Sequence, residues 1–480
     1  MHISISYPPV ITEKGTPLLS QNRQFQWYHK PTYIYPVVPA YAATILDRAG
    51  YHVSWDDGIA EGLSPEQYYT RMAASRPDVI LIETKTPVVK AHWGIISELK
   101  KRLPDTRIAL VGDHVTALPE ESLENSLADY VLTGGDYDFL LLNLCNHLSR
   151  GEELEPGVWF RHNGKSGNTG QFRLDHDLNT LPFIDRELTH WRLYSRENGN
   201  FKKTPGTYVM AGRDCWWHRC SFCGWTVLYP EYRRRNPESV LDEIGNIIET
   251  CGVREIFDDT GTFPVGSWLE DFCYGMIDRG YHRRVRLGCN LRFGAVTAEQ
   301  YRLMRKAGFR LLLFGMESAN QSTLDRLNKG IKIADIIEGC RMARQAGLEP
   351  HLTAMIGYPW ETAEEAQRTI DMAKDLFRQG HATTLQATIV VPYPGTPLHE
   401  ECRRDGCLLS DNWDEYDMQK PVMKTPAGVS ARKLTQDMYR VFFTPRYVIS
   451  RLLGVRNIND VRFIWRGFWK VLGHLKDFTP

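Results

Sequence analysis

The chain has 480 residues, with 58 Lys and Arg balanced by 58 Asp and Glu, and a formal net charge of zero excludes both the electrostatic footprint of a nucleic-acid binder and an acidic tail. No apolar run approaches the roughly 20 residues that span a bilayer, so no integral membrane segment is expected. Met1-His2-Ile3-Ser4-Ile5-Ser6 has no charged leader followed by an apolar core, and ten cysteines are too sparse for a disulfide scaffold, so a cytoplasmic protein is expected.

From residue 2 to about 150, short apolar runs alternate with amphipathic stretches. Strands are expected at Ile3 to Tyr7, His52 to Asp56, Val79 to Thr84, Ile108 to Gly112 and Tyr130 to Thr133, with helices at about 37–49, 64–76, 90–103 and 136–149. The alternation predicts an α/β domain over 1–150 with a doubly wound, Rossmann-like parallel sheet, whose ligands bind at the strand carboxyl ends. The loops there read Tyr7-Pro8-Pro9, Thr84-Lys85-Thr86-Pro87, Gly112 to Glu121 and Gly134-Gly135-Asp136-Tyr137-Asp138. On its own this segment equally fits a flavodoxin-like domain with another ligand, or with none. A linker is expected over 151–205, with glycines from Gly164 to Gly170.

Strand–helix alternation then resumes for six units, with strands at 206–212, 254–258, 284–289, 310–315, 350–356 and 385–391, which predicts a partial (β/α)6 TIM-type barrel over 206–400. Cys215, Cys220 and Cys223 follow the first strand in the run Arg213 to Trp225. Three thiolates on one loop, with no fourth nearby, suit an iron–sulfur cluster that keeps one iron open for a small ligand. The alternative is a zinc site that adds His218, although the ligand pairs would then be separated by one residue. Cys145, Cys251, Cys273 and Cys340 fall in helical patterns as buried thiols, and Cys289, Cys402 and Cys407 are read as structural.

The cysteine run resembles the cluster loop of the radical S-adenosylmethionine enzymes, whose usual spacing is C-x3-C-x2-C with an aromatic residue before the third Cys. Phe222 fills that place, and this chain has one extra residue between the first two cysteines. Asp258-Asp259-Thr260-Gly261, Asn290-Leu291-Arg292, Gly315-Met316-Glu317-Ser318, Gly357-Tyr358-Pro359-Trp360-Glu361 and Pro392-Tyr393-Pro394-Gly395 match, in order, a branch of that family carrying an upstream cobalamin-binding domain. The loops of the first domain resemble that upstream domain, most specifically in Gly112 to Glu121, and depart from it at Gly134 to Asp138. The resemblance implies a [4Fe–4S] cluster on Cys215, Cys220 and Cys223, and S-adenosylmethionine near Phe222, Asn290, Arg292 and Glu317. It implies cobalamin near Pro8, Thr84, Thr86, Gly112, His114 and Gly134. The axial-histidine signature of other cobalamin proteins is absent from Asp56 to Gly62; His114 either approaches cobalt or caps a helix. Glu317 and Arg292 retain purely structural readings. Asp258 and Asp259 either orient the cluster loop or line a substrate pocket, for which Tyr393 and Trp413 are further candidates.

From 401 to 480 the pattern is helical, with aromatic and basic residues mixed, and it predicts a small helical domain capping the barrel mouth; an interfacial helix is the alternative. The resemblance implies an enzyme that methylates an unactivated carbon of a small-molecule substrate through a 5′-deoxyadenosyl radical and methylcobalamin, fed by an external flavodoxin or ferredoxin. Radical cyclisation or rearrangement without methyl transfer, and a non-catalytic metal- or cobalamin-binding module, are the alternatives. The substrate has no diagnostic pattern in the sequence.

Overall fold

Apolar runs that alternate with amphipathic helices can satisfy their backbone only by pairing with one another, and here they pair into two parallel sheets. The structure is a computed structural model that describes residues 1–19, 25–29, 31–162 and 164–477. In the first sheet β1 (His2–Tyr7), β2 (His52–Asp57), β3 (Val79–Glu83), β4 (Arg107–Val111) and β5 (Tyr130–Leu132) are parallel in the order β2-β1-β3-β4-β5. The order reverses between β1 and β3, which sets the ligand crevice of a doubly wound sheet at the carboxyl ends of those two strands. Two further strands, β6 (Val158–His162) and β7 (Lys165–Asn168), extend the sheet as an antiparallel hairpin. They arise from the expected linker, where Lys165-Ser166-Gly167-Asn168 carries no apolar residue to signal a strand.

The second sheet runs β8 (Gly206–Val209), β9 (Glu255–Asp258), β10 (Arg286–Leu291), β11 (Phe309–Glu317), β12 (Glu349–Ile356) and β13 (Thr384–Ile389), all parallel and in chain order. It curves into an open barrel that leaves β8 and β13 as edges. Capping boxes start two of its helices, Thr297 with Gln300 and Thr362 with Glu365.

The helix Val37–Arg48 is apolar on most of its circumference, and nine of its residues are buried. It lies between the two sheets, with the Tyr41 hydroxyl donating to Glu243 at 2.9 Å and accepting from Arg235 at 3.0 Å. One contiguous core therefore joins Ile3 and Ile5 of the first sheet to Ile256 and Leu312 of the barrel.

The last three helices of the tail do not cap the carboxyl-terminal mouth as expected; only its first stretch lies at that end, where Met418 O accepts from Ile389 N–H at 3.3 Å. Helix Ala431–Tyr439 instead covers the β13 edge, where the Tyr439 hydroxyl accepts from Ala387 N–H and donates to Ala387 O. Helices Pro445–Leu453 and Ile458–Asp477 bond to Thr383 and Phe201, just ahead of the two edge strands. The open side of the barrel presents unpaired strand edges, and that demand draws the tail there. Among the described residues, no helix is long and apolar enough to cross a membrane.

Candidate functional site: the cysteine loop and the barrel cavity

Gly212-Arg213, immediately after β8, pairs antiparallel with Arg233-Arg234, and the cysteine loop is the excursion between these two short strands. Asp214 and His218 adopt left-handed backbone (φ 71° and 50°), which lets the loop turn twice within five residues. The base of the loop is fixed by a buried ion cluster. Arg213 donates to Asp136 at 2.6 Å and to both carboxylate oxygens of Asp138 at 2.9 and 2.5 Å, and Arg233 donates to Asp136 at 2.6 Å. Burial alone would raise the Asp136 pKa, but Arg213, His176 and Arg233 hold it below the usual carboxylate range. Gly135 completes the contact. Its N–H donates to Leu228 O at 2.8 Å, and an added Cβ would lie 1.8 Å from the Tyr229 ring. The acidic pair in the last loop of the first sheet thus ties that sheet to the cysteine loop.

A cavity of about 510 Å³ runs down the barrel lumen, lined by alternate residues of β11 from Leu311 to Glu317 and of β12 from Glu349 to Met355. At its upper end Cys215, Cys220, Cys223 and Phe222 meet Asn290, Arg292 and Glu317. A register shift between Gly315 and Glu317 and a positive φ of 60° at Glu317 turn this carboxylate toward the lumen. Lys329, which the sequence reading missed, donates to Glu317 at 2.7 Å. Burial lowers the Lys329 pKa, and Glu317 more than restores it. Arg292 donates to Lys329 O and packs over Trp216 and Trp217, 5.4 and 4.4 Å from their centroids. Its Nε is buried and without a partner. Asn290 donates to Thr260 O at 3.0 Å.

These residues fit a thiolate-bound cluster. Burial pushes the Cys220 thiol up, while Lys329 and Arg292 oppose that shift and favour the thiolate. Cys215 Sγ lies 2.9 Å from Thr262 Oγ1. Among the described residues, no three His, Cys, Asp or Glu side chains are gathered closely enough to share a single ion. His218 is hydrogen-bonded to Asp214, which raises its pKa against partial burial. A cubane, by contrast, spreads its cysteine ligands over three irons.

The two aspartates at the end of β9 separate in role. Asp258 accepts from Ala211 N at 2.8 Å and Thr260 N at 3.0 Å and orients the loops beside the cysteines; burial raises its pKa to about 6. Asp259 lines the cavity. Tyr393 also lines it, and its hydroxyl donates to Tyr416 O at 3.1 Å. Trp413 does not reach the cavity. It packs edge-on against His114, at 5.3 Å between centroids, and donates to Glu121 at 2.9 Å.

The first sheet turns its strand-end loops toward the cysteine loop, and Pro8, Thr84, Thr86, Gly112, His114 and Gly134 all lie there without lining the lumen. Thr84 Oγ1 is 2.8 Å from His92 Nδ1. Both His114 ring nitrogens are engaged, with Thr86 at 3.2 Å and Glu121 at 3.0 Å, which leaves none for cobalt. Gly112 has φ 124°, and a Cβ there would sit 2.1 Å from Thr84 O; loop packing alone therefore accounts for this glycine. At the strand-order reversal, Tyr7 donates to Glu83, whose burial raises its pKa to about 7. The hydrogen-bonded Tyr7–Glu83 pair in that crevice fits an amide-bearing macrocycle. Sequence reading missed Glu83 because it ends an apolar strand.

Cys289 is buried in the barrel wall, and Cys402 packs on Met423 beside Cys407, so these three do not join the cysteine loop.

Residues 212–373 match the radical SAM superfamily. An uncharacterised methyltransferase of Pyrococcus horikoshii is 27% identical over 423 residues, covering 86% of this chain and 89% of that one. The anaerobic magnesium-protoporphyrin IX monomethyl ester cyclase of Cereibacter sphaeroides is 26% identical over 420 residues, covering 85% and 67%. In fold, the chain is similar to the radical S-adenosylmethionine methyltransferase TsrM of Kitasatospora setae, solved with cobalamin and a [4Fe–4S] cluster, with a TM-score of 0.67, 17% identity and coverage of 92% and 85%. The three cysteines at the head of the parallel open barrel thus lie within residues 212–373, the segment that matches the radical SAM superfamily.

Proposed function

We propose that the protein is a cobalamin-dependent radical S-adenosylmethionine methyltransferase acting on an unactivated carbon. The observation that carries this reading is the meeting, at the head of one cavity, of the three cysteines with Arg292, Lys329 and Glu317, beneath the strand-end crevice of the first sheet. Cys215, Cys220 and Cys223 hold a [4Fe–4S] cluster, and the loops after β1, β3, β4 and β5 hold cobalamin. Bound together, the cluster, S-adenosylmethionine and cobalamin supply reductive carbon–sulfur cleavage and a transferable methyl group. The chain's own residues position and shield. The Arg292 guanidinium suits the methionyl carboxylate, and the Glu317 carboxylate suits the ammonium or ribose hydroxyls. Lys329 fixes the Glu317 rotamer and adds a second cation beside the thiolates. Apolar lumen walls such as Leu313 and Met355 exclude water from reactive species. Asp259 and Tyr393 reach the cavity and are assigned to substrate contact.

The division that accompanies this reading is a cofactor domain over 1–150, a connector over 151–205, the barrel over 206–400 and a helical tail over 401–480. A flavodoxin or ferredoxin in the reducing cytoplasm supplies the electron.

The cyclase relative supports a second reading, radical ring formation without methyl transfer. Anaerobic reconstitution with iron, sulfide and cobalamin, followed by dithionite and S-adenosylmethionine, separates the possibilities. Bound cobalamin with 5′-deoxyadenosine and a product heavier by one CH2 supports methylation; an oxidised product without that gain supports cyclisation. Absence of 5′-deoxyadenosine, or its persistence in Cys220→Ala, overturns both.

A further inference from the structure

The helix Ile458–Asp477 packs Ile464 and Val471 toward the cavity and Leu475 against the core, yet leaves a second apolar stripe in solvent. Its exposed face carries Ile458, Val461, Trp465, Phe468 and Trp469, a stripe at helical spacing, and Trp465 is 61% exposed. Its inner face holds Phe463, Arg466 and Lys470, with Lys470 bonded to Thr32 and Arg466 to Phe201 O. Burial lowers the Lys470 pKa to about 8. The neighbouring helix Pro445–Leu453 repeats the arrangement. Val448, Ile449, Leu452 and Leu453 face outward, with Leu453 81% exposed.

Two further observations say what this face meets. The first is charge. Residues 444–477 contain seven Lys or Arg and two Asp or Glu, in a chain whose formal net charge is zero. Arg446, Arg456 and Arg462 are exposed beside the apolar stripe, whereas Asp460 is buried. The second is continuity with the cavity. Phe443, Val448, Leu452 and Phe468 line the lumen cavity and are also among the exposed apolar residues. The far end of the cavity, opposite the cysteines, thus opens through an apolar rim onto the same basic surface.

We propose that the outward face of these two helices docks on an anionic phospholipid bilayer, with Trp465, Phe468 and Trp469 at the acyl boundary and the arginines among the headgroups. The pair lies in the interface plane, so docking needs no spanning helix. In that pose the lumen rim faces the membrane, and a substrate with a long hydrocarbon chain enters from the lipid. That substrate class rests on the catalytic reading above, whereas the docking does not.

The test is flotation of the reconstituted holoprotein with vesicles of phosphatidylcholine alone or of phosphatidylcholine and phosphatidylglycerol at 3:1. Partition is expected to be about tenfold stronger on the anionic vesicles, to fall in 0.5 M salt, and to drop about tenfold in Trp465→Glu/Leu453→Glu. Neither residue lines the cavity, so vesicle-free formation of 5′-deoxyadenosine should be unchanged in the variant. No flotation of the parent protein, or equal flotation of the variant, overturns the proposal. A parent dimer that the double variant dissociates, without flotation of either, would also overturn it and assign the face to a second copy. Loss of 5′-deoxyadenosine with flotation intact would instead refute the catalytic reading alone.

Discussion

Replacing Arg213 with Met is the sharpest test of how the cysteine loop is held. The guanidinium is 1% exposed and makes three contacts of 2.5–2.9 Å to Asp136 and Asp138. Asp136 retains Arg233 at 2.6 Å, but Asp138, fully buried, is left without a cation. Removing one partner of a buried pair costs about 3–5 kcal/mol, because the remaining charge stays desolvated. That is a large share of the roughly 5–15 kcal/mol that stabilises a typical protein. Arg213→Met/Asp138→Asn removes the stranded charge and should recover most of the loss. Equilibrium urea unfolding of the three proteins, followed by tryptophan fluorescence, measures both steps. Because Arg213 lies two residues before Cys215, the single variant should also lose about tenfold or more in 5′-deoxyadenosine formed per reconstituted cluster. A single variant within about 1 kcal/mol of the parent, or a double variant no more stable than the single, would refute the buried-clamp argument.

Glu83 has a folded pKa of about 7 against an ordinary 4.5. The unfolded chain therefore releases its proton first, and stability falls as pH rises from about 4.5 to 7. The full cost is about 3 kcal/mol. Glu83→Gln keeps an acceptor for Tyr7 and should flatten that slope, giving a variant more stable than the parent at pH 8 and equal to it near pH 4.5, as read by urea midpoints. Lys329→Met strands Glu317 at the head of the cavity. It should raise KM for S-adenosylmethionine about tenfold or more, with iron content unchanged and partial rescue by Lys329→Arg; an unchanged KM would remove Lys329 from the site.

The parts of this architecture that were legible in the sequence are those where local pattern and tertiary environment agree. The strands of both sheets are apolar and flanked by capping or glycine signals, and the cysteine spacing is local chemistry. What escaped depends on contacts distant in sequence. Lys329 belongs to the site only because Asn328, at φ 51°, reverses the chain after the helix Gln321–Arg326. The Asp136–Asp138 pair reads as a cofactor loop until Arg213 and Arg233 are brought to it. The hairpin Val158–Asn168 has one polar strand that is stabilised by its partner rather than by its own composition. His114 offers an imidazole in a strand-end loop, and only Thr86 and Glu121 reveal that it is already bound at both ends. The helical character of the tail is legible from its pattern, but the end of the barrel its helices serve is set by where unpaired strand edges need cover.

The apolar helix Val37–Arg48 makes modular excision of either half unworkable. Cut from the barrel, the amino-terminal sheet would keep a greasy rod on its flank; cut from the sheet, the barrel would lose the hydroxyl of Tyr41 that bridges Arg235 and Glu243. Recombination that swaps amino-terminal halves among relatives would have to carry this helix and its barrel-side socket together, so the two halves should diverge as a matched pair rather than as interchangeable cassettes.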